Sequence, residues 1–100
     1  MPYEILIGVQ VQDEAAYATY RAAIVPFLEK VGGEFRYDFV VSRVLKQATP
    51  APMNRVFTIR FRDRAAKDAL FSDPGYLAVK ARLFTPAVSA TTRLAEYETA

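Results

Sequence analysis

The chain has 100 residues, 52% hydrophobic and 24% charged, with 13 Lys and Arg against 11 Asp and Glu. That is enough to bury one core in a single domain, residues 1–100, and too apolar for disorder. The net charge of +2 is scattered and offers no basic arm for a polyanion, and the absence of Cys and His excludes disulfides, thiol chemistry and the usual metal ligand or near-neutral acid and base.

Residues 3–12 alternate, with Ile5, Ile7, Val9 and Val11 on one face and Leu6, Gly8 and Gln10 on the other, which predicts a strand. Asp13 stands at an N-cap position, and Glu14 in the first turn suits the helix dipole. The stripe Tyr17, Tyr20, Ile24, Phe27, Leu28 and Val31 predicts a helix over 14–31, kinked or restarted at Pro26 and ended by Gly32-Gly33. Residues 34–46 predict a long strand, with Phe35, Tyr37, Phe39 and Val41 inward and Arg36, Asp38, Val40, Ser42 and Val44 outward. Two prolines make 47–53 a loop, and 54–62 predicts the return strand of a hairpin. In that strand Phe57, Ile59 and Phe61 face the core, and Val56, Thr58, Arg60 and Arg62 face away.

Asp63 caps a short helix over 64–71, and Asp73 caps a second one that has Pro74 at its first position and stops at Pro86. Residues 89–98 predict the last strand, with either Thr92 and Leu94 or Ala95 and Tyr97 inward. The order βαββαβ predicts an α+β split-βαβ fold, ferredoxin-like, in which a four-stranded antiparallel sheet carries both helices on one face.

The face without helices mixes apolar and charged residues, unlike a solvated sheet face. Leu6, Gln10, Asp38, Val40, Thr58, Arg60 and Arg62 are its candidates for an interface with a second copy of the chain. Arg60 and Arg62 also fit a solvated rim ion pair or an anion site.

The stretches "VQDEAAYATYRAAIVPFLEKVGGEF" and "FRDRAAKDALFSDPGYLAVKARLFTPAV" resemble the dimeric α+β-barrel superfamily, and within it the domain-of-unknown-function family DUF1330. Asp13, Tyr17 and Tyr20, the Gly32-Gly33 turn, and Ser72, Pro74, Tyr76 and Arg82 carry the likeness, which covers nearly the whole chain. The stretch "FRYDFVVSR" departs from it, since the family commonly has glycine along the second strand. The resemblance implies a homodimer in which two sheets face each other and close a barrel. It implies no reaction, although the wider superfamily includes cofactor-free monooxygenases, lactone isomerases and haem-binding enzymes.

Tyr17, Tyr20, Tyr37 and Tyr76 are the ligand-pocket candidates, because a buried phenol needs a hydrogen-bond partner. Arg43 joins them by sharing strand parity with Tyr37. Aromatic walls with a few polar tips suit a flat, oxygenated small molecule in the helix–sheet cleft. The alternative is a cofactor-independent enzyme of monooxygenase or isomerase type, with Tyr37 or Tyr76 as proton donor and Arg43 or Arg60 stabilising an enolate-like anion. An RNA-binding module has the same element order but needs aromatics on the bare face, whereas Phe57 and Phe61 belong to the core face. No cofactor, metal or nucleic acid is expected. The N-terminal residues lack a signal-peptide pattern and no long apolar run exists, so the expected setting is the cytoplasm, away from membranes.

Overall fold

The computed structural model describes residues 1–99. Strand β1 (Tyr3–Val11) leads into α1 (Glu14–Lys30), β2 (Glu34–Val40), β3 (Arg55–Phe61), α2 (Arg64–Ser72), α3 (Pro74–Val79), a π-helical turn (Lys80–Phe84) and β4 (Val88–Glu98). The strands lie in the order β2-β3-β1-β4, every neighbouring pair antiparallel. Ile5, Ile7 and Val9 of β1 and Phe57, Ile59 and Phe61 of β3 bury against Tyr17, Tyr20, Ile24 and Leu28 of α1 and Leu70 of α2. The helices therefore cover one side of the sheet.

Three aspartates start the helices. Asp13 accepts from the Ala16 amide at 3.0 Å, Asp63 from Ala66 at 2.8 Å, and Asp73 from Gly75 at 2.8 Å. Gly32 closes α1 at φ 67°, where a side chain would be strained, and the Gly33 amide returns to the Leu28 carbonyl at 2.8 Å. The helix is unbroken at Pro26, against the expected restart. Ala22 and Pro26 are both exposed, so the carbonyl that loses its donor lies on the solvent side.

The second strand departs most from its sequence pattern. It ends at Val40, not at residue 46, and residues 41–54 form an irregular segment. Its register shifts between Phe35 and Tyr37: Phe35 pairs with Ile59, but Tyr37 pairs with Thr58 and Phe39 with Val56. The bulge at Arg36 reverses the faces of everything after it. Tyr37 and Phe39 therefore lie on the helix-free face, and Asp38 and Val40 lie on the helix side, the opposite of the alternation reading. The Thr58 hydroxyl accepts from the Tyr37 amide at 3.1 Å, which gives the bulge a partner.

Strand β4 slips twice against β1, once between the Gln10–Ala90 and Val11–Val88 pairs and once further along. Leu6 pairs with Ala95 and Ile7 with Arg93, so Leu94 is the extra residue. Thr92, Ala95 and Tyr97 share the helix-free face with Gly8, Leu6 and Glu4, and Leu94 approaches Gly8 there. Neither expected inward pair is inward; Thr91, Arg93 and Glu96 take that side.

The 41–54 segment folds back over the helix-free face. Asn54 ties it down by accepting from the Val11 amide at 2.7 Å and donating to the Val11 carbonyl at 2.8 Å. The Met53 thioether fills the space that a Cβ on Gly8 would need, so glycine there permits close approach of the segment.

Candidate functional site

Helix α1 presents Tyr17 and Tyr20 one turn apart on its buried stripe, and α3 presents Tyr76 three residues after the Asp73 cap. The Tyr20 and Tyr76 hydroxyls meet at 3.0 Å in the interior. The π-helical turn, closed by the Thr85 amide on the Lys80 carbonyl at 3.0 Å, brings the Phe84 ring to 4.9 Å from that of Tyr20. These side chains bound a cavity of about 70 Å³ between helices and sheet, with Lys80, Thr91 and Arg93 also among its lining residues. Thr91 and Arg93 are exposed and form its mouth at the edge strand.

Burial is the main cause that raises the phenols of Tyr17, Tyr20 and Tyr76 above their ordinary pKa. All three are therefore protonated hydrogen-bond donors at neutral pH. The Tyr17 hydroxyl accepts from Arg21 Nε at 3.1 Å. The Arg21 guanidinium lies 3.7 Å from the Phe35 ring centroid and donates to Asp38 at 2.7 Å, and Arg55 grips the same carboxylate at 2.8 and 2.9 Å. The Arg55 hydrogen bonds outweigh desolvation and hold the Asp38 carboxyl below its ordinary range. Opposite, Glu96 accepts from Tyr3, Lys67 and Arg93. Partial burial pushes its carboxyl up, but these donors together bring it below the ordinary value.

Of the five pocket candidates, Tyr17, Tyr20 and Tyr76 converge on the cavity. Tyr37 is on the other side of the sheet because of the β2 bulge, and Arg43 is exposed in the 41–54 segment, beyond the strand that was to carry it inward. The enzyme reading thereby loses Tyr37 and Arg43, and Arg60 faces away from the cavity beside Glu4. Lys80, Phe84, Thr91 and Arg93 are also among the lining residues and were missed as site residues. No local signal marks Thr91 and Arg93, since their side of the sheet follows from the bulge at Leu94. Among the described residues no group of three or more acidic, His or Cys side chains is placed to hold a metal ion.

Of the interface candidates, Leu6, Gln10, Thr58 and Arg60 lie on the helix-free face, as their pairings require. Asp38 and Val40 do not, for the reason given above; Asp38 is matched within the chain by Arg21 and Arg55. Arg62 follows the strand and packs near the Gly32 turn. Thr58 is 5% exposed, so it offers little surface. The face also exposes Tyr37 at 50% and Phe39 at 56%, which alternation placed inward, and Leu94 at 45% and Tyr97 at 39%, whose side alternation left open. Tyr37 and Phe39 stack with centroids 6.1 Å apart. Glu4, only 4% exposed, accepts from Tyr97 at 2.6 Å and Arg36 at 3.3 Å.

An antiparallel βαββαβ sheet with its helices on one face and a polar-tipped cavity beneath them defines a ferredoxin-like α+β protein. The chain belongs to the family described as Domain of unknown function (DUF1330), whose model matches residues 3–96. Among solved structures it is similar to a protein of unknown function from Rhodopseudomonas palustris, with 21% identity, 99% of this chain and 82% of that chain covered, and a TM-score of 0.80. It is also similar to a dabb family protein with a ferredoxin-like fold from Mesorhizobium loti, at 12% identity, coverage of 99% and 97%, and TM-score 0.64. A third similar structure is described as a dimeric ferredoxin-like protein of unknown function from Thermobifida fusca, at 9% identity, coverage of 99% and 92%, and TM-score 0.63. Curated proteins provide no match. No helix among the described residues is long and apolar enough to cross a membrane.

Proposed function

We propose that this protein is a homodimer closed through its helix-free sheet faces into an α+β barrel, and that each subunit binds a small aromatic or oxygenated molecule in its helix–sheet cavity. The observation that carries the binding reading is the buried Tyr20–Tyr76 hydroxyl pair at the wall of a hollow. Two polar tips in an apolar wall are how a pocket fixes a ligand's orientation. The dimer reading is supported by four large apolar side chains standing exposed on one sheet face. Structural neighbours described as dimeric add to that support.

Each half has its own test. Light scattering on the purified chain is expected to give twice the subunit mass, and Phe39→Glu, which puts a charge on the exposed aromatic pair of that face, to give the single mass. A single mass for the unaltered chain overturns the dimer reading. Phenol, a neutral single-ring probe, is expected to shift the NMR signals of Tyr20, Tyr76 and Phe84. Unmoved signals at millimolar phenol overturn the cavity reading.

A further inference from the structure

The helix–sheet cavity is electrostatically one-sided. Lys80 and Arg93 are among its lining residues, and no carboxylate is. The Lys80 ammonium lies 5.7 Å from the Phe84 ring centroid, and among the described residues no carboxylate pairs with it. Arg93 is matched in part by Glu96, but that carboxylate is shared with Tyr3 and Lys67. Apolar walls screen charge poorly, so an unmatched cation at the mouth selects by charge more strongly than it would in water.

The phenol pair adds an independent constraint. Two hydroxyls hold two hydrogens, and their mutual contact at 3.0 Å uses one. Among the described residues no protein acceptor takes the other, although Tyr20 is 5% and Tyr76 is 4% exposed. A buried donor without an acceptor costs about 1–3 kcal/mol, so the site favours an occupant that accepts. Burial keeps both hydroxyls protonated, which preserves that donor. The enclosed volume of about 70 Å³ exceeds the roughly 10–15 Å³ that one water needs and falls short of the roughly 300–1,000 Å³ of a drug-sized pocket. It admits one functional group on a small body.

Resting on the reading of the cavity as a ligand site, we infer that its occupant is a small organic carboxylate, held by the spare hydrogen of the Tyr20–Tyr76 pair and by the cations Lys80 and Arg93. The acid's oxygens accept, its apolar body lies against Phe84, and its charge answers the imbalance at the mouth.

Benzoate and its neutral isostere benzamide separate the charge from the shape. Each is titrated at neutral pH and equal ionic strength, with the Tyr20, Tyr76 and Phe84 resonances as the readout. Benzoate is expected to bind about tenfold more tightly than benzamide. Lys80→Gln, at a partly exposed position without an ion pair, is expected to remove most of that difference. Arg93→Gln is expected to act in the same direction. Equal binding of the two probes, or a preference that survives both variants, overturns the carboxylate assignment and leaves the cavity reading standing. Failure of both probes to move those resonances overturns the assignment and the cavity reading together.

Discussion

Tyr20 and Tyr76 stand 56 positions apart in the chain, and each is the other's hydrogen-bond partner. Removing one hydroxyl strands the other in an apolar site, whereas removing both strands nothing. Tyr20→Phe and Tyr76→Phe are each expected to lower stability by about 1–2 kcal/mol, and the double variant by little more than either single one. Urea unfolding of the four proteins measures this coupling. The same pair gives the protein an alkaline limit. Both phenols are raised in the folded state and ionise near pH 10 in the unfolded chain. The unfolded state thus releases protons first, and stability falls as pH climbs past about 10. The urea midpoint is expected to drop less steeply above about pH 10 in the double variant than in the unaltered chain. Asp38 works at the other end of the scale. Its carboxyl is held low chiefly by Arg55, so its contribution is present above the ordinary carboxylate range and fades as pH falls through the lowered value. Asp38→Asn is expected to cost about 1 kcal/mol at neutral pH, because the cluster is partly exposed. Denaturation curves of variant and unaltered chain are expected to converge in strong acid.

At the scale of elements, the informative features are two single-residue bulges. The bulge at Arg36 turns Tyr37 and Phe39 away from the helices and brings Asp38 under Arg21 and Arg55. The bulge at Leu94 sets Arg93 and Glu96 on the helix side. The Thr58 hydroxyl steadies the first by accepting from the Tyr37 amide. Thr58→Val keeps the shape and removes the acceptor, and is expected to cost about 1–2 kcal/mol. Amide exchange is expected to quicken at Tyr37 and not at Ile59 in the central strand. Unaltered exchange at Tyr37 would mean that the bulge is held by other contacts.

For the molecule as a whole, one side of the sheet is closed by helices and the other in part by the 41–54 segment seated on Gly8 through Met53. The rest of that second side carries the exposed aromatic pair, Leu94 and Tyr97, with a buried carboxylate, Glu4, between Arg36 and Tyr97. If the proposed pairing covers it, folding and association are linked by mass action. The thermal midpoint is then expected to rise by several degrees over about a hundredfold increase in protein concentration. A midpoint that does not move with concentration counts against the pairing.

The element order, the three aspartate caps, the Gly32 turn and the core faces of β1 and β3 were legible from residues alone. Each is a local property: a carboxylate three residues before an amide, a glycine at the one left-handed position, an alternation that nothing interrupts. Tyr17, Tyr20 and Tyr76 were legible for the same reason, since helical spacing fixes their side of the fold. Tyr37, Asp38, Val40, Arg43 and Arg93 were not. Their sides depend on where strand pairing slips by one residue or stops, and that is settled between strands, by which amides find partners. A period of two carries no memory of a slip, so only the tertiary structure could decide which half of β2 and β4 turns toward the cavity and which turns away from it.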